Sequence, residues 1–191
     1  MCSAKQAKNI PSPMQNTRFF IVPGLGNSGP GHWQTYFERV HPAFTRIEQR
    51  EWDAPDRTEW VAGIEQALAG EDLTNVVLIG HSLGCVTVAH WAATHGHRLK
   101  GVLLVAPSDV ETARYAAFPT TGFGPMPLQR LPFPSTVVAS TTDEWVTEAR
   151  ARQFAEAWGS ELVNIGDAGH INAASGHGDW PAGLKLLEKW G

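Results

Sequence analysis

Short runs of consecutive apolar residues recur along the chain, each ended by glycine, proline or a polar residue. Such runs are typical of strands buried on both faces of a parallel sheet, because half-exposed strands alternate apolar and polar residues. They predict strands at residues 18–22, 75–79, 101–106, 136–140 and 161–165, with a weaker strand at 45–49.

Between these runs, apolar residues recur at the three- and four-residue spacing of helices with one buried face. Asp56 or Thr58 is expected to cap the second of these helices, which Gly70 ends. The other predicted helices cover residues 32–40, 83–94, 149–158 and 184–190.

Alternation of strands and helices predicts the α/β class, as a three-layer α/β/α sandwich with a mostly parallel sheet. Residues 17–191 are expected to form one domain, because a chain of this length fits a single core. Residues 1–16 are polar and aperiodic, so we expect a flexible N-terminal tail.

Composition excludes several classes of function. A net charge of −4 without a block of Lys or Arg argues against nucleic-acid binding. No apolar run approaches the roughly 18 residues of a membrane span, and no secretory signal is visible. Cys2 and Cys85 cannot build a disulfide framework, which favours a reducing cytoplasm. His95 and His97 lack acidic or cysteine neighbours in the sequence, so we expect no metal site there.

One motif in the sequence indicates a catalytic residue. Gly80-His81-Ser82-Leu83-Gly84 fits G-x-S-x-G, follows a predicted strand directly and opens a predicted helix. That context is the one a nucleophile elbow requires, because a strand that turns at once into a helix strains and exposes the central serine. The sequence therefore predicts a serine nucleophile, with a strand–helix turn capped by serine as the alternative.

A serine nucleophile needs a base and a carboxylate that orients the base. Asp143 and His170 each follow a predicted strand, where loops at the carboxyl ends of parallel strands gather. Their order along the chain after Ser82 is the one expected for this chemistry.

Other residues compete for these roles. Asp109 is a second candidate acid, and His177 is a second candidate base. Asp167 lies close to His170 in the chain and is expected to cap the turn, while His81 is expected to support the site.

The oxyanion hole requires two converging N–H donors. We expect them from Leu83, just after the nucleophile, and from Leu25 in the glycine-rich loop at residues 23–28. That loop could instead hold a phosphate, but it lacks the third glycine of a dinucleotide motif and the Lys-Ser/Thr of a P-loop.

Residues 108–135 contain five prolines, too many for a helical lid. A minimal hydrolase with a shallow, loop-walled pocket is therefore expected. Trp33, Phe123 and Trp145 are candidate walls of this pocket, with ordinary packing as the alternative for each.

As a set, the motifs of residues 18–190 resemble those of the α/β-hydrolase superfamily, and within it the small capless serine hydrolases similar to retinoblastoma-binding protein 9. The resemblance implies a nucleophile at Ser82, an acid at Asp143 and a base at His170, acting on small esters or amides. The Leu-x-Cys-x-Glu element of the eukaryotic relative is absent, so its retinoblastoma partner is not expected here. The motifs are Val22-Pro23-Gly24 with Gly29, His32-Trp33-Gln34, Trp52 with Pro55 and Trp60, Gly80-His81-Ser82-Leu83-Gly84, Val105-Ala106-Pro107, Ser140 with Asp143, and Gly169-His170-Ile171-Asn172.

These motifs and their resemblance leave two candidate functions. The first is a serine hydrolase that needs no cofactor and forms an acyl-enzyme on small esters, with amides as a second substrate class. The second is a binding or interaction module that keeps the fold with little catalytic activity.

Overall fold

The computed structural model describes residues 16–191, so the predicted tail lies, apart from Asn16, outside the described residues. Six parallel strands form one sheet in the order β2-β1-β3-β4-β5-β6. The strands are β1 (Arg18–Val22), β2 (Phe44–Arg46), β3 (Val76–His81), β4 (Gly101–Val105), β5 (Ser135–Ala139) and β6 (Glu161–Asn164).

Five α-helices connect and flank these strands in the described part of the chain. Asp56 caps α2 by accepting hydrogen bonds from the amides of Thr58 and Glu59, which decides between the two predicted caps. The helices are α1 (Trp33–Val40), α2 (Arg57–Leu68), α3 (Leu83–His95), α4 (Glu148–Trp158) and α5 (Pro181–Leu187).

Two predicted elements differ from the observed ones. β2 has three residues instead of five and lies at the edge of the sheet. The last helix begins at Pro181 instead of residue 184, because proline at the first helical position already has the required φ. Its predicted final turn is a separate 3-10 turn at Glu188–Trp190.

Alternate residues of the four inner strands, β1, β3, β4 and β5, pack into two separate cores, one on each face of the sheet. Phe20 and Val22 of β1 face a core built with α2, α3 and α4. Phe19 and Ile21 face a core that contains residues of α1 and α5. The predicted three-layer α/β/α sandwich is therefore confirmed, with a fully parallel sheet.

Two structural features relate to the predicted cytoplasmic location, namely the length of the helices and the state of the cysteines. None of the helices within residues 16–191 is long and apolar enough to cross a bilayer. Cys85 is a buried free thiol whose pKa is raised by burial, and Cys2 lies outside the described residues. The cytoplasmic location therefore stays a prediction from the sequence.

Close contact between β1 and α3 sets the geometry around the motif serine. A Cβ atom at Gly84 would overlap the carbonyl oxygen of Val22 and lie 2.6 Å from that of Pro23. Only glycine therefore allows the first turn of α3 to lie against the end of β1. This contact brings the loop after β1 next to the loop after β3.

Candidate active site

Ser82 lies at the turn between β3 and α3, in a backbone conformation that non-glycine residues rarely adopt. Its φ is 56° and its ψ is −122°. The amide of Ser82 donates a 3.0 Å hydrogen bond to Val105 at the end of β4, which holds the turn against the sheet. Across the turn, a Cβ atom at Gly24 would lie 2.8 Å from the Cβ atom of Ser82. The surrounding backbone therefore keeps Ser82 in the strained conformation.

Strained backbone is concentrated around this serine. Within residues 16–191, five non-glycine residues have positive φ, and Ser82 is one of them. Asn27 borders the same pocket, and Ile171 directly follows His170. Ala106 lies two residues before Ser108, which contacts Ser82. Such clustering is typical of functional sites, where packing maintains costly conformations.

His170 and Asp143 are in direct contact. The imidazole Nδ1 lies 2.9 Å from Oδ1 and 2.8 Å from Oδ2 of the carboxylate. The Asp143 side chain is 0% exposed, and Oδ1 also accepts a 2.9 Å hydrogen bond from the Trp145 amide. A carboxylate on Nδ1 keeps the proton there, which leaves Nε2 able to accept one.

Hydrogen bonds between the loops after β5 and β6 hold this pair together. Ser140 Oγ accepts a 3.0 Å hydrogen bond from the Ala168 amide. Thr142 Oγ1 accepts one of 3.1 Å from the Gly169 amide. Polar residues just beyond the strand ends thus fix the loop of Asp143 against the loop of His170.

The hydroxyl of Ser82 contacts a residue that no sequence motif indicated. Ser82 Oγ lies 2.8 Å from Ser108 Oγ, on the loop after β4. Within residues 16–191, the Ser82 hydroxyl makes this hydrogen bond to Ser108 and no hydrogen bond to His170. The sequence did contain a feature that could have indicated Ser108. This serine lies two residues beyond the predicted strand at 101–106, at the same edge of the sheet as the other loops that follow strands.

Ser82, Ser108 and His170 all line one pocket of about 260 Å³. An aromatic wall borders it, which we define as Tyr115, Phe118 and Trp145. The ring centroids of Trp145 and His170 are 6.3 Å apart. The proposed base therefore lies next to the aromatic wall.

Of the three predicted pocket walls, only Trp145 lines this pocket. The prediction was wrong for Trp33, which is fully buried on the inner face of α1 and donates from Nε1 to the Ile171 carbonyl at 2.8 Å. It was also wrong for Phe123, which packs against Trp60 in the core. Tyr115 and Phe118 line the pocket instead of Trp33 and Phe123. Both belong to the proline-rich segment at residues 108–135, for which the sequence predicted no helical lid.

The two predicted oxyanion donors lie near Ser82. Leu83 is the first residue of α3, so its N–H has no carbonyl partner within the helix. A Cβ atom at Gly24 would lie 3.3 Å from this nitrogen, and the next residue, Leu25, lines the pocket. Within residues 16–191, neither N–H donates to a backbone carbonyl. A backbone N–H without an acceptor can donate to an oxygen atom of a bound ligand.

Two further histidines border the pocket. His81 is buried, and its Nε2 donates a 2.9 Å hydrogen bond to the His170 carbonyl. Burial, and then the neighbouring charge of His170, lowers the pKa of His81 well below its usual range. Burial, and then the charge of Arg46, lowers the pKa of His32 to about 4. Both rings are therefore neutral at pH 7, and His81 supports the backbone of His170 as the sequence predicted.

The low pKa of His32 predicts a pH-dependent stability. The pKa of an unfolded-chain histidine is 6.5, so below this pH the unfolded chain binds a proton that the folded protein does not. We expect this residue to lower the free energy of unfolding by about 2 kcal/mol between pH 7 and pH 5. Urea unfolding at both pH values measures the loss, and His32→Asn should lose correspondingly less. An equal loss in both proteins would contradict the prediction.

The competing acid, base and turn residues make other contacts. Asp109 Oδ2 lies 3.2 Å from Arg150 Nε. His177 Nδ1 lies 3.2 Å from Ser175 Oγ. Asp167 accepts a hydrogen bond from the Thr141 hydroxyl, a contact between the two loops instead of a cap.

The histidines at the end of α3 do find an acidic partner, which the local sequence did not reveal. Glu65 of α2 lies 3.1 Å from His97 and 3.8 Å from His95. Residues 16–191 nevertheless contain no group of three or more His, Cys, Asp or Glu side chains that could hold a metal ion.

Comparisons with known proteins bear on the family and the fold of this chain. A comparison with curated proteins finds no match. A YdeN-like hydrolase from Pectobacterium atrosepticum is 37% identical, with a TM-score of 0.80 over 93% of this chain and 92% of that one. The ydeN product of B. subtilis is 17% identical, with a TM-score of 0.76 over 91% and 98% of the two chains. The esterase RhEst1 from Rhodococcus is 15% identical, with a TM-score of 0.67 over 93% and 90%.

The last two similarities concern the fold alone. The model of the serine hydrolase family matches residues 19–189, which is nearly the whole described chain. This match and the 37% identity together lead to one conclusion. The chain belongs to the serine hydrolase family and has the α/β-hydrolase fold.

Proposed function

We propose that this hydrolase cleaves small esters through an acyl-enzyme, with Ser82 as nucleophile, His170 as base and Asp143 as the carboxylate that orients the base. The main support is the hydrogen bond between His170 Nδ1 and the carboxylate of Asp143, whose side chain is buried, together with the position of the His170 ring beside the same pocket as Ser82. This pairing leaves His170 Nε2 free to accept the serine proton.

In the first step, Ser82 Oγ leaves its hydrogen bond with Ser108 and turns towards His170. Its oxygen forms a bond to the carbonyl carbon of the ester, while the hydroxyl proton moves to His170 Nε2. The carbonyl electron pair moves onto oxygen, where the N–H groups of Leu83 and Leu25 donate hydrogen bonds to it. Asp143 stabilises the charged imidazolium and stays ionised.

Collapse of this intermediate breaks the ester bond. The proton on His170 passes to the leaving alcohol, and the acyl group stays on Ser82. Water then attacks the acyl-enzyme with His170 again as base, which releases the acid and restores the serine. Apart from the attacking water, these steps use only side chains and amides of the protein, so the mechanism requires no metal or organic cofactor.

The size of the pocket supports small substrates. A volume of about 260 Å³ is below the range of roughly 300–1,000 Å³ for drug-sized ligands. The aromatic wall offers an apolar surface for a short acyl chain. Small amides are the second substrate class, since the same steps cleave them with an amine as leaving group.

Labelling with a fluorophosphonate probe tests the proposed nucleophile. We expect the probe to label the wild-type protein at Ser82 and to leave Ser82→Ala unlabelled, because the probe reacts with activated serines. Ser108→Ala is the matched control, since it removes the hydroxyl in contact with Ser82, and it should still be labelled. Identification of the labelled peptide by mass spectrometry distinguishes the two serines. A wild-type protein that does not react would favour the alternative of a binding module.

A further inference from the structure

The side chain of Trp145 has no role in the proposed mechanism, although it follows the acid by two residues. Trp145 is half-buried and lines the pocket, whereas none of the other tryptophans, all of them within residues 16–191, lines it. The Trp145 amide donates a 2.9 Å hydrogen bond to Asp143 Oδ1, which fixes its backbone next to the acid. A large side chain on a fixed backbone beside the reacting groups can determine which substrates fit.

Three side chains surround the indole ring of Trp145. Its centroid lies 6.3 Å from that of the His170 ring and 5.4 Å from that of the Phe118 ring. The guanidinium of Arg114 lies over the indole, 4.1 Å from its centroid. His170 and Phe118 also line the pocket, whereas Arg114 does not and its side chain is 53% exposed. The ring therefore borders the pocket beside the base, and Arg114 covers it from the solvent side.

Arg114 is held in place by the residue that precedes Trp145. Its Nη2 donates a 2.6 Å hydrogen bond to Glu144 Oε2, and its Nη1 donates one of 3.3 Å to the Glu144 carbonyl. A guanidinium over an indole face is also attracted by the electrons of the ring. Nearby, the Asp109 amide donates a 3.0 Å hydrogen bond to the Trp145 carbonyl. These contacts join the loop after β4 to the loop after β5 and restrict movement of the indole.

A small pocket with a fixed wall limits the length of an apolar group that it can hold. The pocket has a volume of about 260 Å³. Each methylene group that enters it favours binding, because apolar surface leaves water. A methylene group that reaches the wall instead requires the indole to move, and forcing extra methylene groups into packed surroundings is costly. We therefore expect activity to rise with chain length up to the wall and to fall beyond it.

We propose, on the basis of the hydrolase function proposed above, that Trp145, held by Arg114, sets the longest apolar group of the ester that the pocket accepts. The preferred substrates are then esters whose chains are no longer than butyl. Longer chains are poorer substrates, because their ends overlap the indole ring. Trp145 is thus a specificity-determining residue, and Arg114 positions it.

Two pairs of esters test this length limit. p-Nitrophenyl hexanoate and p-nitrophenyl butyrate differ by two methylene groups in the acyl chain. Hexyl acetate and butyl acetate differ in the same way in the alcohol. For each pair, the measured quantity is kcat/KM for the longer ester divided by kcat/KM for the shorter one. This ratio cancels any general loss of activity that a change beside Asp143 causes, and in the wild type we expect it to be below one for at least one pair.

The informative variants change the wall or the residue that holds it. In that pair, Trp145→Ala should raise the ratio by about 10-fold, the effect of burying two more methylene groups. Trp145→Phe should raise it less, because a smaller ring remains. Arg114→Ala keeps the indole but frees it, so we expect an increase of about 2- to 5-fold, the effect of one exposed cation–π contact. Trp52→Ala, a half-buried tryptophan outside the pocket that packs against Trp60, should keep the wild-type ratio.

Equal ratios in the wild type and Trp145→Ala, for both pairs, would overturn the inference, as would a wild-type protein that prefers the longer ester in both. A raised ratio in Trp145→Ala with an unchanged ratio in Arg114→Ala would overturn the role of Arg114 alone. If Trp145→Ala does not fold, the ratio for Trp145→Phe decides, because it keeps an aromatic ring in the wall. Failure of the proposed function would look different. Wild-type protein would then resist the fluorophosphonate probe, or Ser82→Ala would keep its turnover, whatever the ratios.

Discussion

Replacement of Ser82 by alanine is expected to lower kcat for small esters by about 10⁴- to 10⁶-fold, the effect of removing the nucleophile of a serine hydrolase. The change deletes the oxygen that forms the acyl-enzyme and leaves the pocket and the proposed oxyanion donors in place. Steady-state hydrolysis of p-nitrophenyl acetate, with the background rate subtracted, measures the loss. A variant with the wild-type rate would remove the proposed mechanism.

The backbone at Ser82 provides a control for folding. Alanine has a Cβ atom and keeps the strain at φ 56°, whereas glycine relieves it. Ser82→Gly should therefore be as inactive as Ser82→Ala but more stable, by about 1 kcal/mol in the free energy of unfolding. Urea unfolding of the two variants measures this difference. If the two variants are equally inactive but differ in stability, the loss of activity comes from the missing hydroxyl and not from a change in folding.

Replacement of Asp143 by asparagine is expected to lower kcat by about 10⁴-fold. The carboxylate accepts the Nδ1 proton of His170, whereas an amide of the same shape can present an N–H to that nitrogen. The proton of the neutral ring then moves to Nε2, which can no longer accept one from Ser82. Steady-state hydrolysis of p-nitrophenyl acetate by this variant measures the loss.

Asp109→Asn is the matched control for this prediction. Asp109 was the competing acid, and in the structure it pairs with Arg150 at 3.2 Å. We expect this variant to keep activity within a few-fold of wild type, since the same carboxyl-to-amide change occurs away from His170. A mild effect at Asp143 together with a severe effect at Asp109 would reverse the assignment of the acid.

Much of the fold follows from local patterns that do not depend on distant contacts. The apolar run at residues 76–79 is buried on both faces, and the sequence alone predicted it as a strand of a parallel sheet. The edge strand β2 was harder to delimit, because it faces solvent on part of its surface and its apolar pattern is weak. The start of α5 was misplaced because its first turn, at Pro181, lacks a regular apolar face.

The pocket was harder to predict than the turn. Trp33 and Phe123 belong to the core, although an aromatic side chain near a motif could equally have lined the pocket. Ser108 was missed because its contact with Ser82 joins residues 26 positions apart.

The sequence by itself determined the order of strands and helices along the chain and the position of the strained serine turn. Short segments are enough for this, because a continuous apolar run indicates a strand buried on both faces and the spacing of two glycines indicates the turn. It also narrowed the acid and the base to a few residues beyond the strand ends. Only the tertiary structure decided that Asp143, and not Asp109, contacts His170, and which side chains border the pocket. Those contacts join separate loops, whose relative positions depend on the packing of the whole sheet and its helices.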